Sequence, residues 1–513
     1  MKQLPSRRSI LKAAVVGLAA GALRAEAVPD TINANREYQV IDNFSASDAW
    51  SMQKLGAWSL KSRNRVADLL FSQSKGIGLS CWRFNIGAGI NPQITNPWRT
   101  AETFETSEGH YDWTRQAGER WFLSAAKVRG VPQFLAFVNS PPARLTRNGL
   151  TFCSRNGDTT NLKRGYEGQY ARYLVDILDH FRTNPDQSQR IEFSYISPVN
   201  EPQWDWAGHS QEGNRASNDD IKRILHSLHA ELKTRNSPTQ IAALESGSLP
   251  DMWQLDAKAT ATWKAPYGNY IDAFLGDPGM STMMSHRISY HDYGSDRVAG
   301  QLVEHRTKLA AKIREYLDAR LWMSEYCILT GSEGKGGVGR DLTMNTALEV
   351  ARIIHLDLSL VGVSAWQWWT AVSGVDFKDG LIYTDWKKPG DEESIYPARL
   401  LWALGNYSRF VRPGMRRIDM SVPDRKIDGL LASAYKSGDG RQIVAVYVNM
   451  SMSPQLRQLV FDLGKIGWTL KSITPYVTSD APGDELRPMP ALGPGNRIDI
   501  PGRSVVTVVS QFA

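Results

Sequence analysis

The chain has 513 residues, and its 42% hydrophobic and 22% charged composition is that of an ordinary globular protein. Such a length suits a large barrel with a smaller companion better than one compact domain. The net charge is +7, but four of those charges sit in the first 27 residues, and the remainder has no Lys/Arg-rich run that would suggest nucleic acid.

The N-terminus has a polar start, the pair Arg7-Arg8, an apolar stretch over 13–23 and then Ala25-Glu26-Ala27. This is the layout of a cleavable export signal, and residues 6–12 resemble the bacterial twin-arginine signal. Residues 1–27 are therefore expected to be removed, leaving a periplasmic or secreted protein with no membrane anchor. The apolar stretch is too short and too rich in Gly and Ala to hold a bilayer, and no other apolar run reaches about 18 residues. Cys81, Cys153 and Cys327 are an odd, scattered set without a C-x-x-C pair. Neither a disulfide framework nor a zinc site is expected from them.

From 41 to 404 short apolar runs alternate with amphipathic stretches. Candidate strands lie near 40–46, 79–86, 132–139, 191–200, 240–245, 287–291, 320–325 and 361–368. Helical spacing falls between them, at 60–74, 114–128, 167–181, 219–234, 302–317 and 344–358. Eight such units predict an α/β chain folded as a (β/α)8 TIM barrel. From 405 to 513 the helical spacing fades. Alternating runs at 430–435, 442–448, 455–461, 468–475 and 504–509 are separated by turns such as Ser437-Gly438-Asp439-Gly440 and Ala481-Pro482-Gly483-Asp484. This reads as a β-sandwich at the side of the barrel. The segment 28–40, with its short run Glu37–Val40 just before the barrel, is placed to add a strand to it.

A (β/α)8 barrel presents chemistry at the C-terminal ends of its strands. The second strand ends in Arg83, the third in Asn139-Ser140-Pro141-Pro142, the fourth in Asn200-Glu201-Pro202 and the sixth in His291-Asp292-Tyr293. The seventh ends in Ser324-Glu325-Tyr326 and the eighth in Trp366-Gln367-Trp368-Trp369. Pro202 cannot continue a ladder, so the fourth strand is expected to stop with Glu201 at its rim. Two carboxylates at one mouth are what glycosidic cleavage requires: one protonates the leaving oxygen and the other attacks the anomeric carbon. Asn200 is a donor for a sugar hydroxyl, and Arg83 is placed to hold Glu325 as a carboxylate. The plainer alternatives stay open here: a lone Glu as a surface ion pair, Arg83 as a barrel ion pair, His291 as a core histidine. Trp366 and Trp368 share one face of their strand, so at least one of the three tryptophans packs away from the mouth. The chain's 17 Trp against 15 Phe fit either a Trp-rich core or stacking platforms for sugar rings.

The strings Ile196-Ser197-Pro198-Val199-Asn200-Glu201-Pro202-Gln203-Trp204 and Trp322-Met323-Ser324-Glu325-Tyr326 resemble glycoside hydrolase family 30, and within it the endo-β-1,6-galactanases. Val40-Ile41-Asp42-Asn43-Phe44, Asn139-Ser140-Pro141-Pro142 and Trp366-Gln367-Trp368 agree, so the likeness spans the chain from about residue 38. The resemblance implies a barrel with a side β-sandwich, retention of anomeric configuration, and no cofactor or metal. It implies Glu201 as acid/base and Glu325 as nucleophile, with Arg83, Asn139, Asn200, Trp204, His291, Tyr293, Trp366 and Trp368 around the sugar. The implied partner is a β-linked polysaccharide or oligosaccharide, acted on by a monomer. Galactan side chains are the expected substrate, with β-1,6-glucan, xylan or a glucosyl lipid as alternatives. Where many members carry an aromatic residue soon after the Ser-Pro-Pro segment, this chain has Ala143-Arg144-Leu145, so a platform there is lost or replaced. A silent carbohydrate-binding barrel and an adhesion protein working through its sandwich are the readings from other classes.

Overall fold

The computed structural model describes residues 27–296, 299–329, 336–423, 425–464, 467–493 and 495–513. The export-signal reading concerns residues 1–27 and so lies almost wholly outside the described residues. Among the described residues no helix is long and apolar enough to cross a membrane.

Eight parallel strands form a closed ring. They are Asn43–Ala46, Cys81–Asn85, Gln133–Phe137, Tyr195–Ser197, the pair Gln240–Ile241 and Ala243–Ser246, Arg287–His291, Arg320–Glu325 and Ala365–Trp368. Hydrogen bonds join them as two arcs. The arcs meet in the fifth strand, whose first half pairs with Tyr195–Ser197 and whose second half pairs with Arg287–His291. A parallel bridge between Ser47 and Arg83 closes the other seam. The fourth strand stops at Ser197, earlier than the expected Glu201. Pro198 is the reason: it has no N–H to give the ladder, and it forces the residue before it into extended backbone.

Side chains alternate across the ring, as period-two geometry demands. Cys81, Leu135, Tyr195, Ala242, Trp322 and Ala365 fill the lower interior as a small apolar plug. Arg287 lies within it, its guanidinium 4.7 Å from the ring centres of both Tyr195 and Trp322. Outward residues such as Phe44, Trp82, Phe84 and Ile288 join the main core beneath the helices. Those helices begin where the sequence supplies caps. Ser217 accepts from the Asp220 N–H while the Asp220 carboxylate accepts from Ser217, a reciprocal cap for the helix Asn218–Thr234.

The second unit is a nine-stranded sheet curled around its own core. Its order is Arg487–Pro488, Leu470–Ser479, Ser504–Phe512, Gln442–Asn449, Leu430–Lys436, Arg416–Ser421, Val28–Val40, Gln455–Asp462 and Arg497–Ile500. Residues from both ends of that order, such as Ile32, Leu459 and Ile500 with Ala434, Tyr447 and Val508, share one buried cluster. The N-terminal strand runs over 13 residues, Val28–Val40, much longer than the expected 37–40. It pairs antiparallel with Arg416–Ser421 and parallel with Gln455–Asp462, so it sits inside the sheet and ties it to the start of the barrel. The helix Arg399–Ser408 runs across the expected boundary at 404–405. It faces both units: Asn406 Nδ2 donates to Thr507 Oγ1 at 3.0 Å, and Ser408 Oγ donates to the Ile77 carbonyl at 2.6 Å.

Candidate active site

The strand ends surround a cleft of about 500 Å³, lined in part by Asn139, Asn200, Glu201, Trp204, Tyr293 and Glu325. Glu201 and Glu325 are buried, at 8% and 5% exposure, yet both open onto it. They come from opposite sides of the ring, and a carboxylate oxygen of each lies within 4.8 Å of the other and of a His291 nitrogen. The two arrive differently. Glu325 is the last residue of its strand. Glu201 lies beyond the end of its own strand with φ +44°, a left-handed backbone that costs a non-glycine residue roughly 1 kcal/mol or more. Its N–H donates to the Glu245 carbonyl at 2.8 Å, and its carbonyl accepts from Trp206 Nε1 at 2.9 Å, which hold it in that conformation.

Their partners differ too. Glu325 accepts from an Arg83 guanidinium nitrogen and, at 2.9 Å, from the Tyr293 hydroxyl. Among the described residues the charged partner of Glu201 is His291, whose Nδ1 is 2.9 Å from Glu201 Oε1 and 3.5 Å from Glu325 Oε1. The other imidazole nitrogen is 2.9 Å from Glu245 Oε2. Burial alone would make His291 a poor cation, but the carboxylates of Glu325, Glu201 and Glu245 overcome it and push the ring up to about 10. Glu201, Glu325 and His291 are spaced like a metal site. A ring that donates from both nitrogens has no lone pair to give a cation. Burial, and then the charge of Glu325, raise the Glu201 carboxyl above its ordinary range, against the pull of His291 and Arg83.

Arg83 and His291, expected around the sugar, are fully buried beneath the cleft. They touch the carboxylates and are not among the residues that line the cleft. Arg83 also lies 3.7 Å from the Phe137 ring centre, bonds Glu245 at 3.0 Å and reaches Asn200 Oδ1 at 3.5 Å. That contact leaves the Asn200 amide N–H₂ for the cleft. Asn139 Nδ2 and Trp50 Nε1 share Glu212 Oε1, at 3.5 and 3.1 Å. Burial pushes Glu212 up to about 7.

Trp366 and Trp368 do not line the cleft, contrary to expectation. Both are buried, with ring centres 6.2 Å apart and nearly parallel. Their N–H groups are used inside the protein, by Asp357 Oδ2 at 2.9 Å and the Asp379 carbonyl at 2.8 Å. They do share a face, but it is the outer one, toward the helices. The platforms come from loops instead. Trp369 and Trp98 each pack edge-on against Trp50, and Trp204, at 42% exposure, stands at the rim near Trp206. The segment Ala143–Leu145 carries no platform: Arg144 pairs with Glu105 at 2.7 Å and Leu145 is buried.

Three acidic residues of the site escaped the sequence reading: Glu212, Glu245 and Asp379. Glu245 is the terminal residue of the predicted 240–245 run, so inspection of that strand end would have found it. Asp379 sits in a loop with no motif. It lines the cleft at 5% exposure, one carboxylate oxygen is without a partner, and burial pushes it up to about 6. The three cysteines are buried and free.

Comparison with known proteins agrees with this geometry. The chain is 24% identical over 489 residues to an endo-β-1,6-galactanase of Hypocrea rufa, covering 89% of this chain and 88% of that one. A conserved exported protein from Bacteroides fragilis superposes with a TM-score of 0.82 at 32% identity, over 94% of this chain and all of that one. An endo-β1,6-glucanase superposes with a TM-score of 0.68 at 18% identity, over 94% and 95%. Residues 28–383 match O-glycosyl hydrolase family 30, and the chain belongs to that family of glycoside hydrolases.

Proposed function

We propose that this glycoside hydrolase retains anomeric configuration and cuts β-1,6-galactan, with Glu325 as nucleophile and Glu201 as acid/base. The observation that carries the reading is the approach of the Glu201 and Glu325 carboxylates to within 4.8 Å across one cleft. Double displacement needs carboxyl groups about 5–5.5 Å apart, whereas inversion leaves room for a water at roughly 6.5–9.5 Å.

The unequal surroundings support the division of labour. Glu325, with donors from Arg83 and Tyr293, is set as a carboxylate aimed at C1. Glu201, whose carboxyl is raised by burial and by Glu325, is set to arrive protonated. In the first step Glu325 Oε attacks C1, the glycosidic C–O bond breaks, and the Glu201 proton passes to the departing oxygen. Once Glu325 is an ester its charge is gone, and with it one of the two causes that hold a proton on Glu201, so the carboxyl becomes a better base. In the second step Glu201 takes a proton from water, the water oxygen attacks C1, and the ester bond to Glu325 breaks.

The galactan assignment rests on the likeness to the Hypocrea rufa enzyme over most of both chains. Export is part of the proposal, supported by the twin-arginine-like segment and by the likeness to an exported protein. Both carboxylates and the cations that hold them come from one chain, so the proposed chemistry asks for no second copy. Assay of reducing ends from de-arabinosylated arabinogalactan, pustulan and xylan tests the substrate. Release from the galactan alone is expected; release from pustulan or xylan with none from galactan would overturn the assignment.

A further inference from the structure

We propose that Glu245 sets how many protons the Glu201–His291 pair holds, and thereby the pH above which Glu201 can no longer serve as an acid. The inference rests on the reading of Glu201 as acid/base. Glu245 is fully buried and touches both cationic groups of the site: His291 Nε2 at 2.9 Å and Arg83 Nη2 at 3.0 Å. Both cations also reach the cleft carboxylates. His291 Nδ1 lies 2.9 Å from Glu201 Oε1 and 3.5 Å from Glu325 Oε1, and Arg83 meets Glu325. One carboxylate thus stands behind both.

The charges in this closed space then decide the proton count. The facing groups are Arg83 from the second strand, Glu201 beyond the fourth, Glu245 from the fifth, His291 and Tyr293 from the sixth and Glu325 from the seventh. The Ser289 hydroxyl donates to Glu245 Oε1 at 3.1 Å. Asp48, beyond Arg83, acts on that guanidinium only through space. Tyr293 stays a neutral phenol, because burial and then Glu325 raise it far above its usual range. With Arg83 and His291 positive and Glu245 and Glu325 negative, the cluster is neutral only while Glu201 keeps its proton. Withdraw the Glu245 charge, and neutrality is reached with one proton fewer on the coupled Glu201–His291 pair. Burial opposes the ionised Glu245, but Arg83 and the His291 N–H outweigh it and hold the carboxyl at about 2, so it carries its charge throughout the working range. Glu245 is therefore a positioning residue that never meets the sugar.

The test is Glu245→Gln, which keeps the shape and removes the charge, beside Glu245→Asp, which keeps the charge. The alkaline limb of kcat/KM should fall by about one pH unit or more in Glu245→Gln and stay at its parental pH in Glu245→Asp, whatever happens to kcat. A merely structural Glu245 would lower Tm and kcat and leave the limb in place, and an unmoved limb overturns the proposal. Nitrogen-15 titration of His291 reads the same pair without using turnover. Its midpoint should also fall in Glu245→Gln, and a midpoint unchanged from the parent counts against the proposal. Full turnover by Glu201→Gln would sink the acid reading instead, and the His291 titration would still judge Glu245.

Discussion

The Glu201 N–H and the Glu245 carbonyl oxygen meet at 2.8 Å, and both residues have left-handed backbones, with φ +44° and +58°. Two non-glycine residues in that region, joined by a main-chain bond, point to a place where function outweighs local comfort. The bond fixes the acid end of the site from a neighbouring strand, so the approach of Glu201 to Glu325 does not depend on a loose loop.

Removing either glutamate should cost turnover by different routes. Glu325→Ala is expected to lower kcat about a thousandfold or more on every substrate, with the circular dichroism spectrum unchanged. Glu201→Ala should be nearly as damaging on polysaccharide, by roughly 10²–10⁴, but far less so on an aryl glycoside whose leaving group needs no proton. Equal losses on both substrates would remove Glu201 from the acid role.

The pH dependence has a definite sign. Glu201 must be protonated in the first step, and its carboxyl is raised, chiefly by burial. kcat/KM should therefore fall as pH rises through that raised value. Stability should fall at both extremes. His291 rises on folding from 6.5 to about 10, so its contribution is complete below about 6.5 and is lost as pH climbs toward 10. Glu245 drops from 4.5 to about 2, so its contribution is complete above about 4.5 and is lost as pH falls toward 2. Thermal melts across pH in the parent and in His291→Gln check this; the alkaline loss should be smaller in the variant.

The tryptophans should separate into two kinds. Trp204→Ala at the exposed rim is expected to raise KM on polysaccharide about three- to tenfold with Tm unchanged, the loss of one stacking face. Trp366→Ala in the core should cost about 3–5 kcal/mol of stability and leave the Asp357 carboxylate without its indole donor. Paired urea melts and kinetics distinguish them.

Those tryptophans also show where sequence reading reached and where it stopped. The sixth and seventh strands fall on the predicted 287–291 and 320–325, short runs separated by the helical spacing at 302–317. The strand ends then bring Glu201, Glu325, Arg83 and His291 together. Periodicity says that Trp366 and Trp368 share a face but not which face, and the ring of the barrel turns it outward. The fifth strand is divided at Ala242, and Glu245, one residue before its end, belongs to no familiar string. Trp50, Trp98 and Asp379 reach the cleft on loops whose paths only the closed barrel defines.

Asp379 is placed to read the substrate. Its side chain forms part of the cleft wall, and the carboxylate is expected to accept from a sugar hydroxyl. Asp379→Asn should lower kcat/KM by roughly 10- to 100-fold, since a buried hydrogen bond to a charged group is worth about 1.5–3 kcal/mol. The matching deoxy sugar should lose little further in the variant. A full additional loss would mean that the hydroxyl is held elsewhere.

The central claim is that Glu325 takes the sugar covalently before water does, and the stereochemistry of the new reducing end reads it most directly. Proton NMR during early hydrolysis of whichever β-linked polymer the enzyme cuts should show the β-anomer first, with the α-anomer growing only as mutarotation proceeds. An α-anomer appearing first would mean direct attack by water and would contradict the account.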